Sequence, residues 1–192
     1  MIVSHKHRYV FVSTPKAATN SMYSWLKTYW AGEHVPGLFH GREIPPECEG
    51  YFTFTCCRNP YSRAVSIWNS TIKARHAFRL ALGEISLPDF LRWAMKPGHG
   101  RDEALCWNQA TWLAPVADRL DNIIKLEDLS VGLPLAVSRF RGAVLGTMCG
   151  LGRENATMSS EREYESHLTP EVIRLVNEWA EPDFDRFQYP RA

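Results

Sequence analysis

The sequence has two long stretches without acidic residues, and it has no long apolar run. No Asp or Glu precedes Glu33, and none lies between Glu49 and Glu84. The whole chain is nearly neutral, since 22 Lys and Arg oppose 21 Asp and Glu. A net charge of +1 gives no global reason to expect nucleic acid as a partner. The positive charge of the two acid-free stretches is therefore local, and it is offset by the acidic end of the chain, from Glu154 onward.

Other absences narrow the class of protein. The N-terminus, MIVSHKHRYVFVS, has only a short apolar run, so we expect neither a signal peptide nor a membrane segment. The five cysteines include no CxxC pair, which favours a reducing compartment. His5 and His7 are too isolated to indicate a metal site. The 192 residues, 45% of them hydrophobic, suffice for one domain over 1–192, which we expect to be cytoplasmic.

Strand-like and helix-like segments alternate along the chain. Three runs rich in β-branched and aromatic residues predict strands, at 8–13, 51–57 and 122–126. Apolar spacing predicts a helix that is capped by Asn20 or Ser21 and ends at Gly32, with further helices at 60–79, 87–96, 103–113, 133–145 and 170–180. This order predicts an α/β fold, a three-layer sandwich around a mostly parallel sheet. The loop 33–50 is long enough to suggest function.

The predicted strands end in cationic segments. Thr14-Pro15-Lys16 follows the first strand, and Arg58-Asn59-Pro60 follows the second, where Asn59 is a good helix cap. In open α/β sheets, ligands bind beyond the carboxyl ends of parallel strands. The cations of both acid-free stretches are therefore expected to converge on one edge of the sheet.

The first of these segments has the chemistry of an anion site. It joins a strand to a helix N-terminus and offers backbone N–H groups, one lysine and a run of hydroxyl or amide side chains. It is not a Walker A loop, because the lysine comes directly after the strand and no glycine precedes it. The alternative is a plain strand-ending turn followed by an ordinary helix cap. The candidate ligand residues are Thr14, Pro15, Lys16, Ala17, Ala18, Thr19, Asn20 and Ser21.

The second segment could bind a second phosphate. Arg58 offers a bidentate donor, and Ser66 shares a helix face with positions 59, 62 and 63. The alternative is that Ser66 is an ordinary helix serine and Arg63 a solvated charge.

Taken together, these segments resemble the sulfotransferase family that uses 3′-phosphoadenosine 5′-phosphosulfate (PAPS). TPKAATNS is similar to the 5′-phosphosulfate loop of that family, and RNPYSRAVS to its 3′-phosphate element. IIKLEDL resembles its third-strand motif, and the ending from YESHLTPEV to DRFQY is similar to its carbohydrate-type members. The resemblance spans residues 8–189 and implies a P-loop-like sulfotransferase fold.

The resemblance also implies roles for single residues. It places Lys16 on the bridging and 5′-phosphate oxygens, with Thr19, Asn20 and Ser21 around that phosphate. Arg58 and Ser66 would hold the 3′-phosphate, and Arg153 would contact the nucleotide from the segment 146–163. Two residues depart from the family pattern. Ala18 stands where glycine is common, which is tolerable with a negative φ, and Asn20 stands where a second hydroxyl is common, although it can still donate a hydrogen bond and cap the helix.

The reaction that this family catalyses also needs a base for the acceptor proton. The loop 33–50 offers His34, His40, Glu43, Glu47 and Glu49. His40 is favoured by the resemblance, and Glu43 is the second candidate.

The resemblance thus implies a PAPS-dependent sulfotransferase that releases adenosine 3′,5′-bisphosphate (PAP), uses no metal and sulfates a hydroxyl group on a carbohydrate. The sequence leaves open whether the protein forms a homo-oligomer. The alternatives are an ATP-dependent nucleotide kinase and a PAPS-binding module without turnover.

Overall fold

The computed structural model describes residues 1–37, 41–73, 85–96, 106–141 and 163–192. In these ranges the chain is α/β, with a five-stranded sheet and seven α-helices. Its internal contacts divide it into two units, Met1–Arg58 with Trp112–Asn155 and Asn59–Thr111 with Ala156–Ala192. None of the described helices is both long enough and apolar enough to cross a membrane.

The sheet belongs to the first unit and is mixed. Its strands are β1 (Ile2–Ser4), β2 (Tyr9–Val12), β3 (Glu33–His34), β4 (Phe52–Cys57) and β5 (Asn122–Lys125), in the order β3-β1-β2-β4-β5. The three strands that the sequence predicts, β2, β4 and β5, are parallel neighbours. β1 is antiparallel to both β2 and β3, so half of the pairings are antiparallel and the sheet is less parallel than predicted. β1 and β3 have three and two residues, too few for a periodic signal.

One face of this sheet is aromatic and is covered by two helices of the same unit. Tyr9, Phe11 and Phe54 form a buried cluster with Met22 and Trp25. The last two lie on α1 (Thr19–Tyr29), and α5 (Leu129–Arg141) packs on β4 and β5. The residues of the other face, Val10, Val12, Thr53 and Thr55, are buried as well. Both faces of β4 are therefore buried, which agrees with its nearly continuous run of apolar residues and threonine.

The second unit is helical in its described part. It contains α2 (Pro60–Lys73), α3 (Leu87–Ala94), α6 (Pro170–Trp179) and α7 (Glu181–Phe187). Asn59 caps α2 as predicted, with its side-chain oxygen 2.9 Å from the N of Tyr61. The predicted end of that helix, near residue 79, lies outside the described residues. The predicted final helix continues after Trp179 into α7, which the sequence did not indicate.

The helix expected at 103–113 begins only at Gln109, as α4 (Gln109–Leu113). Residues 103–105 lie outside the described part of the chain. Two side chains set this start. Oδ1 of Asn108 accepts from the backbone N of Thr111 at 2.8 Å, and the fully buried carboxylate of Asp183 accepts from the backbone N of Gln109 (3.0 Å) and of Ala110 (2.7 Å). Asn108 is a local cap of the preferred residue type, whereas the contribution of Asp183 is distant in sequence and leaves no local signal.

Gly132 permits the close packing of α5 on β5. A Cβ at this position would lie 2.5 Å from Cγ2 of Ile124. Gly132→Ala should therefore destabilise the protein by about 1–2 kcal/mol, because overpacking outweighs the ~1 kcal/mol that alanine gains in a helix. Urea unfolding measures this. Ser130→Ala, at an exposed position of α5, is the control and should change the free energy by less than about 0.5 kcal/mol. A stabilised Gly132→Ala variant would contradict the packing.

Candidate functional site

The loop between β2 and α1 is folded by its own hydrogen bonds. The carbonyl oxygen of Thr14 accepts from the backbone N of Ala17 at 3.1 Å and from the hydroxyl of Thr19 at 2.9 Å. Behind the loop, the indole Nε1 of Trp112 donates to the carbonyl oxygen of Ser13 at 3.1 Å, and the hydroxyl of Tyr23 donates to Oγ of Ser13 at 3.1 Å. These buried bonds hold the loop in one shape.

Two residues of this loop adopt a left-handed backbone. Lys16 has φ 67° and Ala18 has φ 59°, whereas Ala17 between them keeps a negative φ. The negative φ that would make an alanine tolerable at position 18 is therefore not present, and this position has the geometry that favours the glycine common in the resembling family. Alternating signs of φ turn successive backbone N–H groups toward one side, the arrangement of an anion-binding nest. The loop therefore has the backbone shape of an anion site, at a cost in strain.

The first turn of α1 is also suited to an anion. The helix begins at Thr19, its N-cap is Ala18, and no side chain caps it. Asn20 and Ser21 lie inside the helix, so the prediction that one of them is the cap was wrong. The first turn contains no acidic residue. The N–H groups and the positive end of the helix dipole are thus not neutralised there by a carboxylate.

The structure brings the two acid-free stretches together at the carboxyl ends of β2 and β4. Arg58 follows β4 directly and is half-buried. Its Nη1 donates to the carbonyl oxygen of Lys16 at 3.4 Å. The lysine side chain is also half-buried. A planar guanidinium and an ammonium group therefore emerge from neighbouring strand ends, as the sequence predicted.

Lys125 is a third cation at this edge, which the sequence analysis did not single out. It is the last residue of β5 and lies in register with Cys57, the last residue of β4. The only sequence signal was its place in the predicted strand. The parallel pairing of β4 and β5 is what places Lys125 beside the carboxyl end of β4.

The other predicted loop residues differ in exposure. Pro15, Ala17 and Ser21 are buried, and Asn20 is exposed. The hydroxyl of Thr19 is buried and bonded to Thr14, as described above. Lys16 and Asn20 are thus more accessible to solvent than the hydroxyl groups of the loop.

Ser66 and Arg63 belong to the second unit. Ser66 is 3% exposed, and Arg63 is completely buried, with its guanidinium carbon 5.4 Å from the centroid of the Trp179 ring. The alternative that Arg63 is a solvated charge was therefore wrong. The role that the resemblance gives to Ser66 stays a prediction.

The segment that begins at residue 41, within the loop 33–50, is anchored next to the β2–α1 loop. Arg42 lies with its guanidinium carbon 4.9 Å from the Trp112 ring centroid, and the same indole donates to Ser13. Glu43 follows and is exposed. His40 and Arg153 lie outside the described residues, so both predictions stay predictions. Glu47 is exposed, and Glu49 pairs with Arg119 at 3.1 Å.

His34 is the candidate base that packs toward the β2–α1 loop in the described part of the chain. Its ring meets that of Tyr23 edge-on, with 5.7 Å between centroids, and the hydroxyl of Tyr23 reaches Ser13. Burial, and then nearby positive charge that includes Lys27, lower the pKa of His34. Burial raises the pKa of Tyr23 to about 12. His34 is thus neutral at physiological pH, the state that a base requires.

Comparison with models of protein families, with curated proteins and with solved structures finds no match for this chain. The chemistry of the site must therefore be inferred from its residues. They combine an uncapped helix N-terminus, a loop with two positive φ angles, and the cations Lys16 and Arg58. This combination suits a ligand with phosphate or sulfate groups.

The strain at Ala18 can be measured by removing its Cβ. Ala18→Gly should stabilise the protein by about 1 kcal/mol. The left-handed backbone costs alanine about 1–2 kcal/mol, and the larger conformational entropy of glycine in the unfolded chain offsets part of the gain. Ala17→Gly, one residue earlier at a negative φ, is the matched control and should destabilise by about 1–2 kcal/mol. Urea midpoints at constant m-value give both values. Two variants that shift in the same direction would exclude the left-handed geometry.

Proposed function

We propose that this protein is a PAPS-dependent sulfotransferase with a carbohydrate hydroxyl as its acceptor. The observation that carries the proposal is the meeting of Arg58 with the backbone of Lys16 at an uncapped helix N-terminus. A nucleotide that carries phosphate on both its 3′ and 5′ positions needs cations at two separate points. Arg58 and Lys16 supply them from adjacent strand ends, and the family resemblance assigns the same two residues.

In this proposal the β2–α1 loop binds the 5′ end of the donor. Backbone N–H groups of the loop and of the first turn of α1 hold the phosphosulfate oxygens, and the absence of acid in that turn avoids repulsion. Lys16 faces the oxygen that bridges phosphorus and sulfur. Arg58 binds the 3′-phosphate through its planar guanidinium.

The transfer itself requires a balanced movement of charge. The acceptor oxygen forms a bond to sulfur while the bond between sulfur and the bridging oxygen breaks. The proton of the acceptor hydroxyl passes to a base on the chain. Lys16 stabilises the negative charge that develops on the departing phosphate of PAP. This stabilisation is stronger in the transition state than in the ground state.

The base is assigned to the loop 33–50. His40 is the first candidate and Glu43 the second, and the packing of Arg42 on Trp112 supports a position of this loop near the β2–α1 loop. His34 becomes a third candidate, because it is neutral and is connected to Ser13 through Tyr23. The acceptor class and the metal-free reaction come from the family resemblance alone.

The leaving-group role of Lys16 predicts a specific kinetic effect. Lys16→Ala should lower kcat by about 10²- to 10³-fold while the Kd for PAP changes by less than about tenfold, since the lysine acts on charge that develops in the transition state. Transfer of labelled sulfate from PAPS to a panel of sugars, phenols and peptides measures turnover, and calorimetry measures PAP binding. Lys96→Ala, at an exposed lysine just after α3, is the control and should change neither value. Equal losses in kcat and in affinity would contradict the role.

The 3′-phosphate role of Arg58 predicts a change of ligand preference. Wild type should bind PAP more tightly than AMP in the presence of EDTA, and Arg58→Ala should remove that preference, a loss of about 10- to 100-fold for one charged hydrogen-bonding group. Arg119→Ala, an exposed arginine of the same unit, is the control. An unchanged preference would exclude the assignment. A requirement for magnesium with tighter binding of ATP would indicate the kinase, and PAP binding without any transfer would indicate the binding module.

A further inference from the structure

The turn between β1 and β2 carries a cluster of cations that the proposed function does not use. It consists of His5, Lys6, His7 and Arg8. Lys6 and Arg8 are exposed, as is His5, and neither of the two permanent cations forms an ion pair with any described residue. We call this four-residue segment the basic turn. Part of the positive charge of the first acid-free stretch therefore lies here.

The basic turn lies at the opposite edge of the sheet from Lys16. The carbonyl oxygen of Arg8 accepts from the backbone N of Phe52 at 3.0 Å, and Tyr9 pairs with Phe52, so the turn adjoins the amino ends of β2 and β4. The four residues of β2 separate the two edges by about 13 Å of strand. The expectation that all cations of the acid-free stretches converge on one edge was therefore wrong for this group. It forms a separate surface.

Tyr51 organises the basic turn. The guanidinium carbon of Arg8 lies 4.7 Å from the centroid of the Tyr51 ring, and Nδ1 of His5 lies 3.1 Å from the Tyr51 hydroxyl. The tyrosine thus fixes one cationic side chain on its face and one imidazole at its edge. Pre-ordering of this kind lowers the entropy lost when a ligand binds.

Arg8 also has a strained backbone, with φ 53°. Glycine or asparagine would close the turn at lower cost, since a left-handed conformation costs other residues about 1–2 kcal/mol. The arginine is therefore not explained by the needs of the turn. Strain of this kind points to a use of the side chain.

Few acidic groups lie near the basic turn. By strand register Glu33 is opposite Val3, two residues before His5, and Glu49 pairs with Arg119. Asp121 is bonded to Thr53, so it lies two strands from β2 on the other side, as Glu33 does. Lys6 and Arg8 stand together in one turn, whereas these two carboxylates lie apart on either side of it. An anionic ligand is the complementary partner.

We propose that the basic turn binds a linear sulfated or carboxylated polysaccharide. The choice of a polysaccharide as the ligand rests on the proposed function. The need for a negatively charged ligand follows from the cations of the turn itself. Single-stranded nucleic acid is less suited to this surface, because the guanidinium of Arg8 covers one face of Tyr51 and bases need open aromatic faces for stacking. The turn would hold an anionic chain away from the Lys16 edge and so keep the acceptor polymer on the protein between transfers.

The test compares dextran sulfate with neutral dextran, a matched pair of polymers. The variant combines Lys6→Gln with Arg8→Gly, because glycine suits the φ of position 8 and the variant should fold. Its affinity for dextran sulfate should fall by about 10- to 30-fold, and the slope of log K against log salt should decrease by about two, one for each lost cation. Lys96→Gln with Arg186→Gln removes the same charge from other exposed positions and should keep the wild-type affinity and slope.

Several outcomes would overturn the proposal. They are equal binding of dextran sulfate by wild type and variant, binding of neutral dextran as tight as that of dextran sulfate, and tighter binding of polyglutamate or oligothymidylate than of dextran sulfate. Lys16→Ala separates this surface from the nucleotide site, because the loss of affinity caused by the basic-turn variant should be the same with and without Lys16→Ala. Failure of wild type to bind PAP would remove the proposed function, whereas the comparison of basic-turn variants would still give its own result.

Discussion

The parallel pairing of β2 with β4 is the constraint on which the rest of the first unit depends. At the carboxyl ends of these strands the buried hydroxyl of Thr55 donates to the carbonyl oxygen of Val12 at 2.7 Å, and the hydroxyls of Thr14 and Thr55 lie 3.0 Å apart. These bonds satisfy polar groups that would be costly to bury alone. They also fix the two strand ends side by side, which brings the chain after β2 against the residue after β4. The contact of Arg58 with Lys16 follows from this pairing.

The loop after β2 combines strain with firm support. The left-handed residues Lys16 and Ala18 cost free energy, and the bonds of Trp112 and Tyr23 to Ser13 help to hold the loop in that form. A loop held in this way keeps its N–H groups directed before any ligand arrives, which reduces reorganisation on binding. The same indole of Trp112 carries Arg42 on its ring, so one buried side chain supports both the loop and the segment with the candidate base Glu43.

The sequence predicted the long elements well and the short ones poorly. β2, β4 and β5 were found because apolar runs of four to six residues between turn residues leave a clear signal. β1 and β3 were missed, because two or three residues show no periodicity. The start of α4 was missed although Asn108 caps it locally, because the apolar spacing extends N-terminal to that cap. The left-handed φ of Ala18 depends on how the loop closes, so local residue types could not predict it.

The sequence by itself determined the α/β class, the two strand-end segments with Lys16 and Arg58, and the cap at Asn59, since each depends on neighbouring residues and their intrinsic preferences. Only the tertiary structure decided which cations share an edge. An acid-free stretch is one feature in the sequence, but β2 divides it, with Arg8 at one end of the strand and Lys16 beyond the other. Charge in a sequence is counted along the chain, whereas binding depends on where the strands carry each charge in space.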